Sequence, residues 1–216
     1  EANLILEDAA AHITRLAAGF ADPHETLPEE DAFFRDRPLA QDLEPLAELG
    51  VNIKPLRTGD VVTLSPLQVS RIRAFPPGLV YRVSCAGASG TGSSGSRLKI
   101  TGYGLGFDIH DMVLVTDCAL DLEATVTLTG ALVISTSKDA MQVMNGALAG
   151  DPEGKCSPGS ATQVFSLADL DLPSTFTASN ADFLTPGDIR VAGHPAGAPA
   201  PHAGLGLHAG GRIHLA

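Results

Sequence analysis

The sequence predicts a mainly β protein with an amphipathic N-terminal helix, an α+β chain whose strands form a β-solenoid-like or sandwich-like sheet region. Three observations predict this class. The first segment has helical periodicity, and from about residue 51 the chain changes to short β-branched or alternating segments. The 23 glycines and 15 prolines favour many turns. We therefore divide the chain into a helical segment with an acidic connector, residues 1–50, and a β-rich domain, residues 51–216.

The helix prediction covers residues 1–21. Its apolar residues recur at helical spacing and share one face; they are Leu6, Ala9, Ile13, Leu16 and Phe20. A lone helix of this length is marginal in water, so we expect the face to pack on the β domain or on a partner chain. After the acidic connector, the segment EPLAELG predicts a short helix closed by Gly50.

Short apolar segments separated by turns predict strands in the rest of the chain. Residues 121–128 alternate between apolar and polar side chains and predict one half-buried strand. The segment SKDAMQVMNGALAG follows a capping-box spacing and predicts a short helix. TVTLTG, GDIRVAG and GGRIHLA look alike but lie about 63 and then about 24 residues apart, so no strict repeat is evident and a loose solenoid is one of two fitting architectures.

Composition argues against several functions. A net charge of −11 with 14 Lys and Arg gives no basic footprint, so we expect no nucleic-acid partner. No stretch of 18 apolar residues occurs, so membrane attachment would require a segment outside this chain. The Gly- and Ser-rich residues 85–96 lack the Lys of a phosphate-binding loop, and a strand pattern follows them rather than a helix. They predict a hairpin loop without nucleotide, and we expect no cofactor.

Two groups of polar residues are candidate ligand sets. The C-terminal histidines His202, His208 and His214 are weak candidates for a metal site. Read as one strand, GLHAGGRIHLA places two of them beside Arg212, whose charge argues against a cation, and the plainer interpretation is a solvated face. The stretch GFDIHD can offer carboxylate and imidazole ligands, or can form a turn before the strand MVLVT. No nucleophile elbow or H-E-x-x-H motif is present, so no catalytic residue is predicted.

The helix EANLILEDAAAHITRLAAGF resembles the amphipathic continuation of bacterial pilin-like subunits, whose apolar start anchors in the membrane. The segments CALDLEATVTLTGALVIS, SLADLDLP and GLGLHAGGRIHLA are similar in style to the extracytoplasmic regions of TadE/TadG-like proteins of tight-adherence (Flp) pilus assembly. The resemblance covers the N-terminal helix and residues 112–216, without residue-by-residue alignment, and the membrane part lies outside this chain.

The resemblance implies a non-catalytic structural or assembly protein of a bacterial pilus or cell-surface system. Its location would be the periplasm or the cell surface, although a cytoplasmic location stays open. Its partners would be other assembly-system proteins or further copies of itself. The alternative is a β-rich metal-binding module, or an enzyme of the cupin or β-helix type, that uses the C-terminal histidines.

An extracytoplasmic location would permit a disulfide among the three cysteines. Cys118 ends an apolar strand pattern and Cys156 lies in a turn-rich loop, so we predict a bridge between these two. The competing arrangement pairs Cys85 with Cys118 across neighbouring strands. Three reduced thiols are the plain alternative.

Overall fold

The computed structural model of the chain describes residues 2–20, 43–53, 56–57, 59–86, 97–101, 106–122, 126–139, 141–143, 148–150, 161–193 and 202–216. These residues form a mainly β structure with a short N-terminal helix, as the sequence predicts. The paired strands all run parallel, in a solenoid-like arrangement. The division at residue 50 stays a prediction.

The described helices are α1 (Ala2–Gly19), α2 (Glu44–Glu48) and α3 (Pro66–Val69). The described strands are β1 (Val61–Leu64), β2 (Val80–Val83), β3 (Arg97–Ile100), β4 (Phe107–His110), β5 (Val113–Thr116), β6 (Ala119–Leu122), β7 (Val126–Thr129), β8 (Leu132–Ser135), β9 (Met141–Val143), β10 (Leu148–Gly150), β11 (Thr162–Ser166), β12 (Leu170–Leu172), β13 (Thr177–Thr185), β14 (Ile189–Val191), β15 (His202–Ala209) and β16 (Ile213–Leu215).

From β2 onward the chain winds in coils around three faces. The first face stacks β2, β5, β8 and β11, the second stacks β3, β6, β9, β12, β14 and β16, and the third stacks β4, β7 and β10. The long strands β13 and β15 each run along the third face and continue into the first, so these two faces form one ten-stranded sheet. The second face is a separate six-stranded sheet.

The coils differ in length because insertions lie at their corners. Successive paired residues on the first face are Val80, Val113, Leu132, Gln163, Asp182 and Gly206, which gives coils of 33, 19, 31, 19 and 24 residues. The longer coils place their extra residues between β2 and β3, between β10 and β11, and between β14 and β15. The irregular spacing of the look-alike segments has the same origin.

The interior is filled by apolar side chains from all three faces, and one cluster of aromatic rings lies at the N-terminal end. Phe75 contacts Tyr81 and Phe107 edge-on, at ring-centroid distances of 4.8 and 5.6 Å. The Tyr81 hydroxyl donates a hydrogen bond to the Pro76 carbonyl (2.7 Å), and burial raises the pKa of Tyr81. This aromatic cluster lies where α2, β1 and α3 cover the first coil and extend the same core.

The helix α1 covers the outer surface of the first face, as its periodicity predicts. Ile13, Ala17 and Phe20 are buried there and Leu16 is half-buried. They pack on apolar side chains that point out of the solenoid, namely Val80, Val113, Val115, Leu132, Ile134 and Phe165. The helix therefore shields a sheet surface that would otherwise be apolar and exposed. The short helix closed by Gly50 is also confirmed.

Several segment predictions are wrong because the chain turns corners at points that local patterns do not reveal. Residues 121–128 contribute to β6 and β7, which lie on different faces rather than in one strand. The segment predicted as a helix after residue 136 contains β9 and β10. Residues 85–96 do not join a hairpin, because β2 and β3 belong to different sheets; residues 87–96 themselves lie outside the described residues.

Within the part of the chain that the structure describes, no helix combines the length and the apolarity needed to cross a membrane.

Candidate interaction site at the last coil

A ladder of buried hydroxyl groups follows the corner between the first and second faces. Each hydroxyl oxygen accepts a hydrogen bond from the backbone N–H two residues later, at 2.9 to 3.4 Å; the residues are Thr116, Ser135, Ser166 and Thr185. The Thr185 hydroxyl also donates to the Ala168 carbonyl of the preceding coil, at 2.7 Å. The ladder therefore fixes each corner, and at Ser135 and Thr185 it also joins the corner to the preceding coil.

A second ladder, of carboxylates, runs beside the hydroxyls in the last coils. Asp169 Oδ1 accepts the backbone N–H of Asp188 (2.9 Å), and Asp188 Oδ1 accepts that of Arg212 (2.7 Å). The hydrogen bond from Arg212 is the main cause that lowers the pKa of Asp188; desolvation opposes it, and His214 and Arg190 add to the lowering. Each carboxylate thus holds the corner of the following coil in place.

Both ladders stop at the last described coil. Its corner, AGGRIHL, aligns with SLADLDL and TPGDIRV of the two coils before it. Ala209 stands where those coils have Ser166 and Thr185, and Arg212 stands where they have Asp169 and Asp188. The last coil therefore lacks the hydroxyl and the carboxylate, and it presents a guanidinium at the carboxylate position.

The last coil also exposes the apolar cross-section of the solenoid. The inward positions of the second face are buried in earlier coils, for example at Leu170 and Ile189. In β16 the matching Ile213 and Leu215 are 44% and 75% exposed. Among the described strands, β16 pairs only with β14, and β15 only with β13. This end of the solenoid is thus an open sheet edge with an apolar strip.

The hydrogen bonds between the earlier coils show which backbone groups of β16 face the open edge. The Ile189 N–H donates to the Arg212 carbonyl (2.9 Å), and the Val191 carbonyl accepts from the Ala216 N–H (3.1 Å). In β16, the groups that correspond to those of Ile189 and Val191 are the Ile213 N–H and the Leu215 carbonyl. They form a donor and an acceptor available to a further strand.

The charge of this region differs from that of the rest of the chain. Residues 189–216 contain two Arg, four His and no Asp or Glu, although the chain as a whole carries a net charge of −11. His208 Nε2 lies 3.8 Å from Asp182 Oδ1 and His214 Nε2 lies 3.4 Å from Asp188 Oδ2, so both carboxylates belong to the preceding coil. The last coil, residues 202–216, thus carries one guanidinium, that of Arg212, and no carboxylate side chain.

The structure does not bring the candidate metal ligands together where their side chains are described. His208 lies on β15 and His214 on β16, which belong to different sheets, so GLHAGGRIHLA is not the single strand that was predicted. The side chain of His202 lies outside the described residues, and a site that needs it stays a prediction. Among described side chains, only Cys85, Asp117 and Cys118 gather three potential ligand atoms, within 4.8 Å.

That cysteine group is a disulfide corner. Cys85 and Cys118 are bonded, with their Cα atoms 5.3 Å apart, so the predicted Cys118–Cys156 bridge is wrong and the competing pairing is found. The reason is the register: Val83 pairs with Thr116, which brings the two cysteines side by side on neighbouring coils. Asp117 accepts hydrogen bonds from the Ser84 hydroxyl (2.7 Å) and the Cys85 N–H (2.5 Å) at the same corner. Cys156 lies outside the described residues.

The residues of GFDIHD combine a strand and a turn. Asp108 and His110 lie on β4, whereas the buried Asp111 forms the turn before β5 with a positive φ of 48°. His110 Nδ1 lies 3.1 Å from Asp111 Oδ2. Partial desolvation raises the pKa of Asp108; the His110 imidazole opposes this rise and Asp111 adds to it. This arrangement is the structural alternative that the sequence left open.

The sequence reasoning missed the residues that define the open end: Ala209, Arg212, Ile213 and Leu215. The signal was available, since GDIRVAG and GGRIHLA lie 24 residues apart, which is the distance between paired residues on β14 and β16. TVTLTG obscured it because that segment belongs to the third face. Comparing corners rather than whole segments would have revealed the replacement of Asp by Arg.

The fold and the open edge define a parallel β-solenoid with one covered end and one uncovered described end. The chain belongs to the family described as "Domain of unknown function (DUF7867)", whose sequence profile matches residues 51–215. The comparisons match the chain to no curated protein and to no solved structure.

Proposed function

We propose that the chain is a non-catalytic structural protein of an extracytoplasmic assembly, of the pilus or cell-surface kind, that acts through protein–protein contacts. The observation that carries this proposal is the open last coil, where an apolar strip and an unpaired sheet edge occur together. Solenoids need polar terminal repeats to remain soluble as monomers. An uncovered apolar end is therefore typical of a surface that a partner covers.

The disulfide supports the extracytoplasmic location. Disulfides persist in the periplasm and at cell surfaces, whereas most cytosolic proteins keep their thiols reduced. Cys118 is buried, and its bond to Cys85 links two neighbouring coils. This position is typical of a structural cross-link.

The use of polar groups supports a structural role. The buried hydroxyls of Thr116, Ser135, Ser166 and Thr185 make hydrogen bonds within and between corners. The carboxylates of Asp169 and Asp188 bind backbone N–H groups. These groups stabilise the winding of the chain.

The proposal is tested by fractionating cells that express the native gene and by counting thiols. We expect the protein in the periplasmic or surface fraction, accessible to protease there, with Cys85 and Cys118 blocked to alkylation until a reductant is added. We also expect deletion of the gene to reduce a surface assembly without loss of an enzymatic activity. A cytoplasmic protein with three alkylatable cysteines would contradict the proposal.

A further inference from the structure

We propose that the outer edge of β15 and β16 binds an extended acidic strand of a partner protein, which adds to the solenoid as a further layer. The inference rests on the proposed function, since it names the kind of partner that an assembly protein of this fold would hold. The binding surface is defined by the Ile213 N–H, the Leu215 carbonyl, the apolar side chains of these two residues, and the Arg212 guanidinium beside them.

Backbone pairing and apolar burial supply the first part of the argument. A strand laid on this edge continues a parallel stack in which each layer bonds the next through the same N–H and carbonyl positions. Its inward side chains would cover Ile213 and Leu215. Alternate residues of a strand point to opposite faces, so the partner segment must be apolar at every second position.

The interrupted carboxylate ladder argues against a further coil of the same kind. Asp169 and Asp188 each hold the next corner by accepting its backbone N–H. Arg212 cannot accept, because a guanidinium is only a donor. The next layer therefore needs to bring the acceptors itself.

A second copy of the chain fits this edge poorly. Its N-terminal end is covered by α2, β1 and α3, which share the continuous core of the first coil. Its own last coil would place one Arg212 guanidinium against the other, and like charges at an interface are unfavourable. These contacts favour a different polypeptide over self-association.

Charge complementarity identifies the partner segment as acidic. The last coil offers the Arg212 guanidinium, and no Asp or Glu lies in residues 189–216. Carboxylates at the outward positions of the added strand would accept from the Arg212 guanidinium. The expected ligand is an extended segment that alternates apolar with acidic residues.

The test measures peptide binding to the 216-residue chain by fluorescence anisotropy. Two labelled peptides share the same alternating apolar residues; one has Glu and the other has Lys at the remaining positions. We expect the acidic peptide to bind with an affinity that falls as salt rises, and the basic peptide to bind at least tenfold more weakly, on the order expected for exposed charges.

Two substitutions place the binding on the edge. Arg212→Glu should weaken the acidic peptide by about tenfold and strengthen the basic one. Arg82→Glu is the matched control, because Arg82 is an exposed arginine on β2, in the first coil at the other end of the solenoid. Leu215→Lys replaces a side chain that is 75% exposed, so it should leave the thermal midpoint nearly unchanged while removing binding of both peptides. This second variant keeps the test decisive if Arg212→Glu lowers stability.

Three results would overturn the inference. Equal binding of the acidic and basic peptides would show that the apolar strip binds alternating peptides regardless of their charge. An equal loss with Arg82→Glu would place the site elsewhere. A dimer in sedimentation that Leu215→Lys dissociates, together with no peptide binding, would make a second copy the occupant. Failure of the proposed function is distinguishable, because location and thiol state are measured in cells, independently of peptide binding.

Discussion

At the scale of single residues, the corner hydroxyls show how a Gly-rich, Trp-free chain specifies its coils. Thr185 is fully buried, yet its hydroxyl accepts from the Gly187 N–H (2.9 Å) and donates to the Ala168 carbonyl (2.7 Å). A buried polar group is costly unless it is satisfied, and here one hydroxyl also satisfies two backbone groups. The same hydroxyl therefore stabilises both the corner and its contact with the preceding coil.

Thr185→Val is expected to lower the free energy of unfolding by about 1–3 kcal/mol, because the isosteric methyl leaves the Gly187 N–H and the Ala168 carbonyl without that partner. Equilibrium unfolding in urea measures the change. Thr63→Val, at an exposed position of β1, is the control and should change stability by less than about 0.5 kcal/mol. Equal effects at both positions would show that the ladder does not stabilise the fold.

At the scale of elements, the sequence predicts α1 correctly, and the solenoid needs this helix to cover the apolar outer surface of its first face. Its periodic face was visible in the spacing of Ile13, Leu16 and Phe20, and the structure places it on the first face. The partner surface was not visible, because alternate strand residues that point outward are usually polar. Here Val113, Val115 and Leu132 point outward and α1 covers them.

Ile13→Asp is expected to destabilise the protein by about 3 kcal/mol or more, since it removes a fully buried apolar side chain and buries a carboxylate against the first face. Leu67→Asp introduces the same charge at a side chain that is 62% exposed and should be nearly neutral. Thermal unfolding followed by circular dichroism compares the two. Similar midpoints for both variants would contradict the packing of α1.

The coil-to-coil approach at β10 gives an element-scale prediction. Gly150 has a positive φ of 95°, and a Cβ added there would overlap the Ser179 carbonyl of the adjacent strand β13. Gly150→Ala should therefore cost more than about 2 kcal/mol, or prevent folding.

Gly50→Ala is the matched control for this prediction. Gly50 also has a positive φ, of 80°, but no atom lies within 4 Å of a Cβ added there. It should cost only about 1 kcal/mol from backbone strain. Equal costs at the two glycines, measured by urea unfolding, would show that the close approach of β10 to β13 does not matter.

At the scale of the whole molecule, the sequence predicts the class of the fold but not its winding. The change of period near residue 51 and the turn-rich composition lead correctly to a mainly β chain with a solenoid as one option. The corners between strands are harder to predict from the sequence. In DLEATVTL apolar and polar residues alternate without interruption, so no local signal shows that β6 ends at Leu122 and β7 begins at Val126. Parallel pairing joins residues at least 19 positions apart, and coils of unequal length hide that register.

The same long-range register explains why the candidate site was missed. Arg212 looks like an ordinary surface charge in the sequence, and its meaning depends on Asp188 and Asp169 standing at the equivalent positions of earlier coils. The cysteine pairing failed for the same reason, because Cys85 and Cys118 meet only through the pairing of β2 with β5. Local patterns reveal the elements, whereas the site depends on which coils lie next to each other.

The Cys85–Cys118 bond has a mechanical consequence. A pulling force on the last coil would peel the solenoid one layer at a time, and each released residue would add at most about 3.5 Å of contour length. The 33-residue separation between the bonded cysteines stays closed, so this coil cannot lengthen. In single-molecule stretching, reduction should add roughly 110 Å of extension that the oxidised chain never shows. A load passed along the chain would thus meet an inextensible link directly beside the covered end of the solenoid.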